Sequence, residues 1–157
     1  DYGLRLEHED GYVCNMVFGA PSSATGTPAE YIEVEFSYYK TGEFRYDDED
    51  GLYYVSQYGE PHIDGNTYKQ LAIKNVLVLF ADHSSIPNDE LKRIEVDLAG
   101  SGTGIFACEG KSVRINWSKS GYDSQFEYTL MDGSPLVFAP GTTYINIVDS
   151  ENSVTIG

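Results

Sequence analysis

The chain has 157 residues, a size that suits one domain and buries roughly 68–70% of its unfolded surface without a metal or disulfide staple. Its 25 acidic and 10 basic residues give a net charge of −15, which speaks against a phosphate-neutralising groove and against docking of the domain body onto anionic lipid. With 13 Tyr, 16 Gly and 6 Pro, the composition favours strands joined by many turns.

No run of about 18 apolar residues is present to span a membrane as a helix. The first residue is Asp1, and the expectation is that a targeting segment has been removed. Cys14 follows Gly11, Tyr12 and Val13, with acidic residues before them, so it does not have the setting of a lipidation cysteine.

In chain order, residues 1–30 read as a linker or the remnant of an upstream domain, and residues 31–157 as a β-rich C-terminal domain. Residues 12–18 have the composition of a strand, whereas residues 19–28 are rich in Ala, Pro, Ser, Thr and Gly and show no periodicity. Beyond them, Ile32, Val34 and Phe36 alternate with Glu33 and Glu35. A turn is expected at Thr41 and Gly42, and a second at the acidic stretch 47–51, which together make a meander.

Residues 59–67 are dense in turn formers, and residues 68–74 are expected to hold one helical turn. Residues 75–81 form a continuous apolar run that predicts a strand buried on both faces. Residues 84–90 read as a loop. Ile94, Val96 and Leu98 alternate and are expected to face inward.

Further strands are expected at 103–108, 113–117, 125–130, 143–148 and 153–156. The fold class is therefore all-β: an antiparallel barrel or sandwich of about ten short strands with little helix. Cys14 and Cys108 are compatible with one disulfide or with two buried thiols. Two cysteines alone do not make a four-ligand zinc site, and no metal or other cofactor is expected.

Five blocks, in order, carry a resemblance: residues 46–53, 59–64, 75–80, 100–119 and 140–148. The fourth has a glycine-rich entry, a Gly110-Lys111 turn and Trp117 two residues before Lys119. Together they resemble the C-terminal part of the YerB-like lipoproteins of Gram-positive bacteria, a domain of unknown function. That resemblance implies an extracytoplasmic protein tethered through an N-terminal lipid anchor that this chain does not show. It brings no catalytic residues with it.

Candidate chemistry is sparse. Counting back from Gly51, an EF-hand loop would need acids where Tyr46 and Gln57 stand, so the 47–51 tip reads as a solvated turn. His62 and Asp64 lie two apart and project to one side of an extended segment. With Asp82 and His83 near them in space they would suit a divalent cation or an Asp-oriented general base. Taken alone, each is a turn-capping residue.

The stretch 100–104 leads into a strand and lacks the lysine of a phosphate loop. Cys108 alternates with Phe106 on an apolar strand, which points to a buried sulfur. The tyrosines at 38, 39, 46, 53, 54 and 58 crowd one hairpin region, and Tyr53 and Tyr58 are the candidate members of an aromatic binding platform.

The first functional expectation is a non-enzymatic, extracytoplasmic binding module whose partner is a protein or a cell-envelope polymer. Anionic polymers would reach it only through bridging cations. The alternative is a metal-dependent or general-base envelope hydrolase using His62, Asp64, Asp82 and His83. A third is a structural module that positions a neighbouring domain.

Overall fold

The computed structural model describes residues 11–157, and almost all of its regular structure is strand. Near the start, β1 (Val17–Phe18) and β2 (Thr27–Pro28) flank a single 3-10 turn at Ser22–Thr25. The meander follows as β3 (Tyr31–Ser37), β4 (Lys40–Asp47), β5 (Leu52–Gln57), β6 (Glu60–Pro61) and β7 (Ala72–Ile73). Next come β8 (Asn75–Phe80), β9 (His83–Ser85), β10 (Ile94–Val96), β11 (Gly100–Cys108) and β12 (Lys111–Lys119). The chain finishes with β13 (Glu127–Leu130), β14 (Val137–Phe138), β15 (Thr143–Val148) and β16 (Val154–Ile156).

Two six-stranded sheets face each other as a sandwich. One has the order β13-β12-β11-β8-β15, with β2 added to β12; the other has β16-β3-β4-β5-β6, with β7 added to β5. Of the two expected architectures, barrel and sandwich, the chain adopts the second. Its pairing is largely antiparallel, but β15 runs parallel to β8 and β1 parallel to β14.

The apolar run of β8 explains the layering. Strand side chains alternate between faces. Val76 and Val78 enter the core between the sheets, where they meet Ile32, Val34, Phe44 and Val55. Leu77 and Leu79 point the other way, into a second core with Phe106, Ile115 and Trp117. That outer core is closed by the crossing segment that carries Leu136, Phe138 and Ala139. A strand buried on both faces needs both covers, and β14 supplies part of the second.

Several expectations are corrected. Residues 1–10 of the stretch read as a linker or upstream remnant lie outside the described residues. Of the rest, Val17–Phe18 and Thr27–Pro28 pair with other strands, Ser23 and Ala29 are fully buried, and the Ser23 hydroxyl donates to the Cys108 carbonyl at 2.9 Å. The β3–β4 turn falls at Tyr38 and Tyr39, not at Thr41 and Gly42. Gly42 lies within β4, where a Cβ would come 3.3 Å from the Phe36 ring.

No helical turn forms at 68–74; β7 is there, and Tyr68 has φ 57°. Residues 83–85, read as part of a loop and its approach, pair with β10 as a separate two-stranded arm. Of the three aliphatics expected inward, Val96 and Leu98 pack against the outer core, while Ile94 is 53% exposed. The two cysteines are free thiols, Cys14 exposed and Cys108 buried. Burial pushes the Cys108 thiol up to about 11.

Candidate functional site

Strands β3 and β5 both run toward the same end of the sandwich, so the turns that follow them lie side by side. The Tyr58 amide donates to the Thr41 carbonyl at 3.3 Å across this end. Tyr38 and Tyr39, in the first turn, are 89% and 82% exposed, and their rings meet edge to face at 4.9 Å.

The second turn is a two-residue hairpin with φ 56° at Tyr58 and 76° at Gly59. Hairpins of this kind prefer Asn or Gly at the first position, because a residue with a bulky side chain is strained there. Tyr58 accepts that strain while its ring stands 64% exposed.

The same end carries a split in the other sheet. β8 pairs with β11 only as far as Leu79 opposite Gly104, while β11 continues to pair with β12 back to Gly100. The Trp117 indole N–H donates to the Phe80 carbonyl at 3.1 Å, on the line where β8 departs.

Gly102, opposite Trp117, makes this possible. A Cβ there would lie 2.6 Å from the Phe80 oxygen and 2.7 Å from the indole nitrogen. Gly104 likewise admits the Val78 carbonyl, which would sit 2.4 Å from a Cβ. The glycine-rich entry to β11 is therefore a close-approach device beside the only tryptophan.

The split opens a cleft of about 350 Å³ lined by Asp82, Asp97 and Asp149, by residues 100–103 and by Trp117. A neighbouring cleft of about 290 Å³ is shared by the end of β3 at Phe36 and Ser37, His83 of the arm, and Asp149. The Ser153 hydroxyl, donating at 2.9 Å, and the nearby His83 hold the Asp149 carboxyl below its usual range. The backbone amide of Ala99 donates to Asp97 at 3.0 Å.

The residues singled out from sequence distribute unevenly over this geometry. Asp82 and His83 reach the clefts. His62 does not: it follows β6, where its amide donates to the Val55 carbonyl and its carbonyl accepts from Leu71. β6 lies three strand positions from β3, about 14 Å at ordinary sheet spacing, and it is β3 that borders the His83 cleft. Asp64 accepts from the amides of Asn66 and Thr67 at 2.7 and 2.9 Å, a turn cap, and those bonds hold its carboxyl low. Among the described residues no group of three or more His, Cys, Asp or Glu is placed to hold a metal.

Tyr53 is fully buried, so it is not part of an exposed platform. Its hydroxyl donates to the Ala29 carbonyl at 2.9 Å, and burial drives its pKa upward. Tyr58 is exposed, as a platform requires. Asp97 and Asp149 line the cleft without having been singled out, and Trp117 was named only as part of the 100–119 block, not as a site candidate. Asp149 reads locally as an ordinary turn residue after β15, and only the parallel β8–β15 pairing brings it to His83.

The fold and this open end define a two-sheet β-sandwich domain with an aromatic rim and acidic clefts. The model of the C-terminal domain of a protein of unknown function (DUF3048) matches residues 32–145, and the chain belongs to that family. It is 30% identical over 114 residues to a Bacillus subtilis (strain 168) protein named "Putative lipoprotein YerB", covering 73% of this chain and 33% of that protein. It is also similar to the crystal structure of the YerB protein from Bacillus subtilis, with a TM-score of 0.74 and 25% identity over 90% of this chain and 46% of that one. The chain thus spans less than half the length of these relatives. Among the described residues no helix is long and apolar enough to cross a membrane.

Proposed function

We propose that this domain is a non-enzymatic binding module of an extracytoplasmic, membrane-anchored envelope lipoprotein, and that it engages its partner through the end carrying Tyr38, Tyr39 and Tyr58. The observation that carries the reading is Tyr58: an exposed aromatic ring held in a left-handed turn position, beside a second exposed pair. Strain retained at a surface position is a pointer to function, because stability alone would replace Tyr with Asn or Gly.

Exposed, rigid tyrosines supply large contact area at low entropy cost. The anchored envelope location is supported by the lipoprotein naming of the B. subtilis relative. The hydrolase reading has less behind it, since His62 and Asp64 belong to a capped turn away from the clefts.

The test is co-sedimentation with purified envelope fractions, comparing the native chain with a Tyr38→Ser/Tyr39→Ser/Tyr58→Ser variant. Retention of the native chain by an envelope protein or wall polymer, lost in the variant at unchanged folding, is the expected result. Equal retention of both would remove the tyrosine end from the reading.

A further inference from the structure

We infer that the free edge of β15 is a strand-addition site for an extended segment of a protein partner, apolar along its length and basic at its ends. The inference rests on the binding-module reading and names the kind of partner the tyrosine end takes. β15 is the last strand of its sheet, and among the described residues no strand pairs with its outer side. Its ladder to β8 is bracketed by the Asn75 amide donating to the Thr142 carbonyl at 3.0 Å and the Ala81 amide donating to the Val148 carbonyl at 2.9 Å. Backbone groups alternate between the two sides of a strand, so residues 144, 146 and 148 serve β8. Residues 143, 145 and 147 direct theirs outward, where no described residue bonds them. Ile145, in the middle of that row, is 45% exposed.

Nothing blunts this edge. The strand reads Thr-Tyr-Ile-Asn-Ile-Val, without charge or proline, and its register with β8 runs unbroken from Thr143 to Val148. An edge of that kind is a template for another chain.

The tyrosine turns stand over the same edge. Gln57, the residue before Tyr58, donates from Nε2 to the Tyr144 hydroxyl at 3.0 Å. Phe36 and Ser37, the residues before Tyr38, share the cleft of about 290 Å³ with Ile147 and Val148. β15 thus crosses the end of the opposing sheet from the foot of one turn to the foot of the other. At about 3.3 Å per residue, each turn reaches outward by roughly the 4.8 Å that separates neighbouring strands. A guest paired to β15 would lie beneath both turns, with alternate side chains toward the rings and the others along Ile145.

Charge selects the guest. The cleft at the Val148 end holds Glu35 and Asp149 and no Lys or Arg. A net charge of −15 opposes a second copy of the chain and favours a segment that ends in Lys or Arg.

The experiment titrates the isotope-labelled chain with an alternating Val-Thr octapeptide that carries Lys at both ends, following the amide shifts of Ile145 and Ile147. Controls are the same peptide with Glu at both ends and the Lys-ended peptide N-methylated at alternate residues. Ile145→Pro, whose lost N–H faces away from β8, is titrated beside Ile145→Thr, which keeps it.

The expected result is saturable binding of the Lys-ended peptide at 145 and 147 and several-fold weaker binding of the Glu-ended one. N-methylation and Ile145→Pro should each weaken binding about tenfold, and Ile145→Thr about two- to threefold, because only the first two remove backbone bonds. Equal binding of the N-methylated peptide, or of the Glu-ended one, overturns the inference. Pairing of the chain with itself through residues 143–148 also overturns it. Capture of an envelope partner that the triple tyrosine substitution abolishes and Ile145→Pro leaves unchanged overturns the edge and leaves the module reading standing. Binding of neither peptide nor envelope partner overturns both.

Discussion

At the end of the sandwich where β4 turns into β5, the chain is tied together. The Lys74 ammonium donates to the Gly51 carbonyl at 3.1 Å and pairs with Glu109 at 3.1 Å, joining the acidic tip to the β11–β12 turn. Tyr46 packs beneath Gly110 and beside Tyr53, whose hydroxyl pins Ala29. At the opposite end, tyrosine turns stand in solvent, β8 parts from β11, and the β9–β10 arm leaves the sheets. One end is closed by side chain to backbone bonds, and the other carries exposed turns and clefts. Elements that bind are drawn from the less tightly held part of a fold.

The sharpest test of this contrast uses two left-handed glycines. Gly110 has φ 69°, and a Cβ there would lie 2.9 Å from the Tyr46 ring; Gly59 has φ 76° with nothing within 4 Å. Gly110→Ala should cost about 2–4 kcal/mol from overpacking plus backbone strain, and Gly59→Ala about 1 kcal/mol from strain alone. Denaturant unfolding of both variants reads the difference, and equal costs would break the contrast.

Next in size is the hydroxyl of Tyr53. Tyr53→Phe leaves the buried Ala29 carbonyl without that donor and should cost about 1–2 kcal/mol. Tyr58→Phe at the open end should lie within about 0.5 kcal/mol of the native chain.

Thiol chemistry sharpens the contrast further. Cys14 should react with a thiol reagent at the rate of an exposed cysteine, and Cys108 only as the domain unfolds. Because burial raises the Cys108 pKa from 9.0 to about 11, its contribution is complete below pH 9 and is lost as pH rises toward 11. Melting temperatures measured across that window should fall, and Cys108→Ala should flatten the fall.

On the acid side Asp149, Asp64 and Asp132 are all held low by hydrogen bonds, so their small contribution is present at neutral pH and lost below the ordinary carboxylate range. The smallest effect expected is on the stability of the triple tyrosine variant, within about 0.5 kcal/mol of native in the same unfolding assay.

Local pattern was informative wherever one strand or one turn decided the outcome. Alternation placed Ile32 and Val34 inward, the Asp47–Gly51 tip turned as its acids and glycine require, and the β8 run was buried on both faces. Pattern misled where a residue's environment comes from a distant segment. Ser23 sits in a stretch that looks like a linker, yet Cys108 provides its acceptor. Ile94 alternates with Val96 and Leu98, which pack on the outer core, but itself stays half exposed at the rim of the cleft. Tyr53 and Tyr58 both read as platform candidates; the inward face of β5 put the Tyr53 ring in the core, and the turn after β5 put the Tyr58 ring in solvent.

The candidate site was less legible than the fold. Asp82 and His83 were visible as a polar pair, but their neighbour Asp149 arrives only through the parallel pairing of β15 with β8. The glycine-rich entry to β11 stood out in the sequence as part of the 100–119 block and as the approach to a strand. What approaches it, the Phe80 carbonyl held by the Trp117 indole, follows from a register set over the whole sheet.

By itself the sequence determined an all-β domain, its main strands, most of its turns and its acidic surface, because side-chain alternation and turn chemistry act over a few residues. Only the tertiary structure decided that the sheets form a sandwich, that one end is tied and the other open, and which carboxylates share a cleft. Those outcomes depend on which strands become neighbours, and that choice is made by covering both faces of β8, not by any single segment.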